Sequence, residues 1–122
     1  MTRTRGPASF ARAARLHHSA EFRYLQRHGA RAESAHFVMY AGRMRGDETS
    51  RLGVTVSKRV GIAVVRNAIK RRVREAYRMR LRAMLPEGVS VVVIARAGAG
   101  GLTSDAIGGE LNAMIRAISQ RI

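Results

Sequence analysis

The stretch Lys58–Arg82, KRVGIAVVRNAIKRRVREAYRMRLR, holds ten of the chain's 23 basic residues and one acid, Glu75. No Pro interrupts it, and its only Gly, Gly61, lies near its start. On a helical wheel of about 100° per residue, the positions from Val65 onward separate into two sides. Val65, Ile69, Val73, Ala76 and Tyr77 form an apolar stripe suited to packing on a sheet or another helix. Asn67, Lys70, Arg71, Arg74, Arg78 and Arg82 fall on the opposite side. The pattern predicts a helix with one buried face and one cationic face, beginning between Gly61 and Arg66 and ending before Pro86-Glu87-Gly88.

A charged helix face is most often a solvated one, stabilised by opposite charges at i,i+4. This face has almost no acid for such pairing. Lys70 with Arg74 and Arg74 with Arg78 are like charges four apart, each destabilising the helix by a few tenths of a kcal/mol. That repulsion favours a polyanion as the partner. Of the 23 basic residues only Lys58 and Lys70 are Lys, and all others are Arg. Guanidinium groups match phosphate in bidentate geometry and stack on bases, which favours nucleic acid. A membrane surface is the weaker alternative, because the apolar side lacks the Trp, Phe and Leu of an interfacial helix.

Outward from this stretch, composition agrees. The chain has 122 residues, 46% hydrophobic content and a formal charge of +15, bounding one domain with a modest core and a nucleic-acid partner. Without Cys there is neither disulfide nor thiolate metal site. No apolar run approaches the ~18 residues of a membrane span.

Ser57-Lys58-Arg59-Val60-Gly61, Ala63-Val64-Val65-Arg66-Asn67 and Ile69-Lys70-Arg71-Arg72-Val73-Arg74-Glu75-Ala76 together resemble the signature of the bacterial ribonuclease P protein subunit. The match is ordered and spans roughly residues 16–118 of the chain. Ala68 departs from it, since the family commonly places a second Arg directly after the Asn. The resemblance implies a central sheet of about four strands packed against helices. It also implies a left-handed crossover through the basic helix, against the usual hand.

The flanking segments read as follows. Residues 1–15, with four Arg and no acid, form a disordered basic arm or, alternatively, a transit peptide; the arm fits better with a bacterial subunit. Residues 16–122 form a single RNA-binding domain. A short helix starts with Ser19 as cap, has Glu21 in its first turn, and ends at Gly29. Ala35–Tyr40 is a strand, with His36, Val38 and Tyr40 on one face and Phe37 and Met39 on the other. Gly42 to Ser50 is a loop. Arg51–Ser57 is a strand with Leu52, Val54 and Val56 inward and Gly53, Thr55 and Ser57 outward. Val89–Ala95 is a central strand buried on both faces. Arg96–Gly101 lacks the spacing of a phosphate loop and connects to a last helix, capped by Thr103 or Ser104 and running to about Ile118. Ile107, Leu111, Met114, Ile115 and Ile118 form that helix's apolar stripe. The order is α-β-β-α-β-α, an α/β (α+β) two-layer sandwich.

The eight acids are scattered, and His17, His18, His28 and His36 have no ligand spacing, so the residues alone describe a binding protein without a catalytic constellation. The resemblance implies a subunit of an endoribonuclease in the bacterial cytoplasm. Its partners are a catalytic RNA, which with Mg²⁺ does the chemistry, and precursor tRNA, whose 5′ leader is removed. On that reading Lys58, Arg59, Arg66, Asn67, Lys70, Arg71 and Arg74 contact the RNA subunit. Phe22 and Tyr40 line a cleft for the single-stranded leader, although Phe22 read by itself is equally a core residue. Gln26 stands where the family commonly has another aromatic, and Ser90 where it commonly has Asp. Two rivals remain from the residues alone: a structural RNA-binding protein of ribosomal type, and a DNA-binding module with its helix in a major groove.

Overall fold

β4 (Val89–Ala95) organises the fold: four of its residues are Val and one is Ile, and all but Ile94 are buried. Such a run is satisfied only between two other strands with both faces covered. In the computed structural model, which describes residues 19–44 and 50–122, it pairs with β2 (Phe37–Arg43) on one side and β3 (Leu52–Thr55) on the other. β2 runs antiparallel to β4, from Phe37 opposite Ala95 to Arg43 opposite Val89. β3 runs parallel to β4, with Leu52 opposite Val91. β1 (Ala30–Glu33) completes the order β1-β2-β4-β3 by antiparallel pairing with β2. The expected basic arm, the Gly46-Asp47 loop and His17 and His18 lie outside the described residues.

The helices are α1 (Ser19–His28), α2 (Ala63–Ala76), α3 (Arg82–Met84) and α4 (Ser104–Ser119). A π-helical turn, Tyr77–Leu81, joins α2 to α3 without a break. α2 thus supplies the crossover between the neighbouring parallel strands β3 and β4. The continuous helical run ends after α3, where Leu85 turns extended ahead of Pro86, the conformation favoured before a proline.

One face of the sheet, through Phe37, Met39, Ala41, Val91 and Val93, meets Ile69, Val73, Tyr77 and Leu81 of the long helix and Ile107, Leu111, Ile115 and Ile118 of α4. The stripe expected of α4 is buried at all five positions. Thr103 is its cap, the side-chain oxygen accepting from the Ala106 N–H at 3.1 Å. The opposite face of the sheet is covered by α1, whose Leu25 is fully buried against Val92. Gly29 ends α1 in a close approach: a Cβ there would lie 2.7 Å from the Leu25 carbonyl oxygen and 2.8 Å from that of Ala41. Glu21 of α1 and Arg51, just before β3, form an ion pair at 3.3 Å that pins the helix across the sheet.

Several expectations need correction. The order read from the residues omitted β1, although the sheet has the four strands that the resemblance implied. Ala30-Arg31-Ala32-Glu33 carries no β-branched or aromatic residue, and it is held as a strand by its pairing and by Ala30 and Ala32 packing into the core. The expected Ser19 cap falls at the edge of the described residues, from which α1 begins. Gly53, expected outward, is buried, because α1 covers the face that it shares with Val92. His36 precedes β2 and does not follow its alternation; its ring turns to α4, where Nδ1 lies 2.6 Å from Glu110 Oε2. The connection Arg96–Thr103 is a tight turn with Gly98 at φ 94°, a conformation that favours glycine, and a 3₁₀ turn at Ala99–Gly101. Ser90, fully buried, accepts the Arg51 backbone N–H at 3.1 Å.

Candidate nucleic-acid interface

The inward stripe of α2 is buried at Ile69 and Val73, and that orientation fixes where its cations point. Asn67 and Arg71 are exposed, while Lys70 and Arg74 are half-buried on the flanks of the outward face. Lys58 and Arg59 are exposed in the turn ahead of the helix, closed by the Val60 N–H bonding the Ser57 carbonyl at 3.0 Å. Arg66 is half-buried, and its Nε donates to the Gly61 carbonyl at 3.1 Å, holding its guanidinium beside that turn. The seven residues expected to contact RNA therefore all lie on α2 or in the turn that feeds it. Among the described residues no carboxylate pairs with Lys58, Arg59, Lys70 or Arg71.

Other cations of the stretch have internal tasks. Arg78, placed by the wheel on the cationic side, pairs with Glu75 at 2.7 Å, using the one acid of the helix. Arg82, likewise placed there, follows the π turn and sits 5.6 Å from the centroid of the Tyr77 ring. Burial pushes the Tyr77 phenol up from its ordinary pKa, and Arg82 opposes this. Arg72 donates from Nη1 to the Leu102 carbonyl at 3.1 Å, tying α2 to the connection that precedes α4.

Phe22 and Tyr40 come together at the second site. Both are half-buried against Leu25 and Val92, with Met44 and Ile94 beside them, on the sheet face under α1. Gln26 is exposed. The Tyr40 hydroxyl accepts from Arg31 Nε at 3.2 Å, and the Arg31 guanidinium carbon lies 5.9 Å from the ring centroid. Arg31 was not anticipated, because it stands on β1, which gave no strand signal. Its alternation with the half-buried Ala30 and Ala32 was the one clue available. The two sites occupy different elements: cations on α2, aromatic rings between α1 and β2. A cavity of about 180 Å³ opens away from the rings, between the end of α2 and α4, lined by Arg72, Glu75, Met79, Arg80 and Asp105 among others.

His36, Ser34 and Glu110 form a third cluster. Ser34 Oγ and the His36 backbone N–H both donate to Glu110 Oε1, the latter at 3.2 Å. Burial raises the Glu110 pKa, but the hydrogen bonds from Ser34 and His36 outweigh it and hold the carboxyl below its ordinary value. Among the described residues no group of three or more His, Cys, Asp or Glu converges as a metal site.

The family model described as Ribonuclease P matches residues 10–119. The ribonuclease P protein component of Gluconacetobacter diazotrophicus is 40% identical over 105 residues, covering 86% of this chain and 90% of the relative. A structure of the Staphylococcus aureus RNase P protein superposes with a TM-score of 0.77 at 29% identity, over 88% of this chain and 99% of that one. The RNase P protein from Thermotoga maritima gives 0.71 at 29% identity, over 84% and 96%. With the cationic helix, the strand order and these matches in agreement, the chain belongs to the ribonuclease P protein family.

Proposed function

We propose that the two sites divide the task of a ribonuclease P subunit, the outward face of α2 binding the RNA subunit and the α1–sheet face holding the 5′ leader of precursor tRNA. As a ribonuclease P protein component, the chain serves in the endonucleolytic removal of that leader. The observation that carries the division is the outward face of α2, where Lys58, Arg59, Lys70 and Arg71 meet no carboxylate among the described residues. Arg66, Asn67 and Arg74 extend the same surface. Phosphate contacts from such a face carry little sequence information, which suits an RNA recognised by shape.

Phe22 and Tyr40 hold unpaired leader nucleotides by stacking, worth about 1–3 kcal/mol per base. Arg31 keeps the Tyr40 ring in place. Hydrolysis is the task of the RNA subunit with RNA-held Mg²⁺, and the protein alone is inactive. Cations near the active RNA lower the Mg²⁺ that the complex needs. The setting is the bacterial cytoplasm. No helix among the described residues is long and apolar enough to cross a membrane.

Reconstitution at low Mg²⁺ tests this reading. The protein, the RNA subunit and precursor tRNA together should yield mature 5′ ends, and the protein alone should yield none. Arg66→Ala with Asn67→Ala should weaken binding of the RNA subunit. Phe22→Ala should mainly remove the preference for precursor over mature tRNA. Equal loss of both properties in both variants would show that there is no division between the faces.

A further inference from the structure

Ile62 and Val64 are 71% and 74% exposed, the most exposed large apolar side chains among the described residues. The inward slot at the start of α2 is already filled. Val65 occupies it, lying so close to Gly61 and Gly100 that a Cβ on either would come within 2.9 and 2.7 Å of Val65 Cγ1. Its two branched neighbours are left in water, against the direction of the hydrophobic effect.

A single exposed apolar side chain is ordinary, but the place of these two is not. Val64 stands one turn before Asn67 and two turns before Arg71, at the N-terminal end of the outward face of α2. Ile62 is the N-cap residue, between the Lys58–Arg59 turn and that face, and makes no side-chain capping bond. The apolar pair is therefore set among cations. An acidic surface made only of phosphates or carboxylates leaves such a pair unused. A nucleic acid with a splayed nucleotide uses both, presenting phosphates to the cations and a base or ribose face to the apolar groups.

We propose that Ile62 and Val64 are the apolar part of the RNA-subunit contact, packing on an unpaired nucleotide whose flanking phosphates meet Lys58, Arg59 and Arg71. This rests on the reading of the α2 face as the RNA site, and it names the kind of RNA feature that docks there. A base-paired stem seals its bases away and offers no such surface, so the feature is a bulge, loop or strand end.

Salt separates the apolar contact from the ionic ones. Phosphate contacts release counterions and steepen the fall of affinity with salt, whereas an apolar contact releases none. The affinity of the full chain for the RNA subunit is measured between about 50 and 200 mM salt for wild type, Ile62→Ser/Val64→Ser and Arg71→Ala. The serine variant should bind roughly ten- to thirtyfold more weakly at every salt concentration, with an unchanged slope and an unchanged melting temperature. Arg71→Ala should make the slope shallower by about one. Wild-type affinity in the serine variant, with Arg71→Ala behaving as stated, would overturn the apolar contact alone. Wild-type affinity and slope in both variants would overturn the α2 reading as well. A serine variant whose slope changes, or which only abolishes self-association of the protein, also overturns the proposal.

Discussion

Glu110 joins the turn before β2 to α4 through three bonds, from Ser34 Oγ, the His36 N–H and the His36 ring. Because its folded-state pKa is depressed, the stability it contributes is complete above the unfolded carboxylate value near 4.5 and is lost as pH falls through the lower folded one. Glu110→Gln should therefore destabilise the protein by about 1–2 kcal/mol at pH 7. The gap between its denaturation midpoint and that of wild type should close as the pH drops below 4.5. A gap independent of pH would show that packing, and not the charge, matters there. Gly29 offers a steric counterpart. Backbone oxygens lie within 2.8 Å of its missing Cβ on two sides, so Gly29→Ala should lose about 1–3 kcal/mol in denaturant titration. The sequence marked Gly29 as the end of α1 but not its close approach to Ala41, and it gave no sign of the Glu110 contact. Glu110 and His36 are 74 positions apart, and no local pattern records that contact.

At the scale of elements, legibility followed the strength of each periodic signal. The inward side of α2 was readable because Ile69, Val73 and Tyr77 repeat at four and the cations fill the opposite side. β4 was readable because only an inner strand needs seven residues with so little polarity. β1 was not, since ARAE has no strand-forming residue and its register is dictated by β2. The π turn was equally silent, and it is why Arg82 leaves the phase assumed by a uniform wheel. Two variants measure these elements. Val73→Ala empties a fully buried position between α2 and the sheet and should lower stability by about 1–3 kcal/mol. Thr103→Ala removes the α4 cap and should lower it by about 1 kcal/mol. Neither should alter the salt slope of RNA binding, because neither touches the outward face.

For the whole molecule, the net charge of +15 is the dominant long-range term. If the complex forms about six to ten phosphate contacts, affinity for the RNA subunit should fall by ~10³–10⁵ between 50 and 200 mM salt, on a scale established for duplex DNA. A flat response would remove the electrostatic basis of the reading. Composition gave this property early, and the ordered motif from Ser57 to Ala76 narrowed the polyanion to one ribonucleoprotein. Of the proposed leader site, Phe22 and Tyr40 could be named from the sequence, but Arg31, which bonds the Tyr40 hydroxyl, stands on a strand that went unseen.

The near-exclusive use of Arg has an experimental corollary. Both side-chain primary amines, Lys58 and Lys70, belong to the surface assigned to the RNA subunit. An acylating reagent that ignores guanidinium groups thus labels that surface and no other side-chain amine. Complex formation should shield both positions together, and a leader oligonucleotide added alone should shield neither. Two naturally placed reporters make the occupancy of the helix readable by mass spectrometry, with no engineered tag.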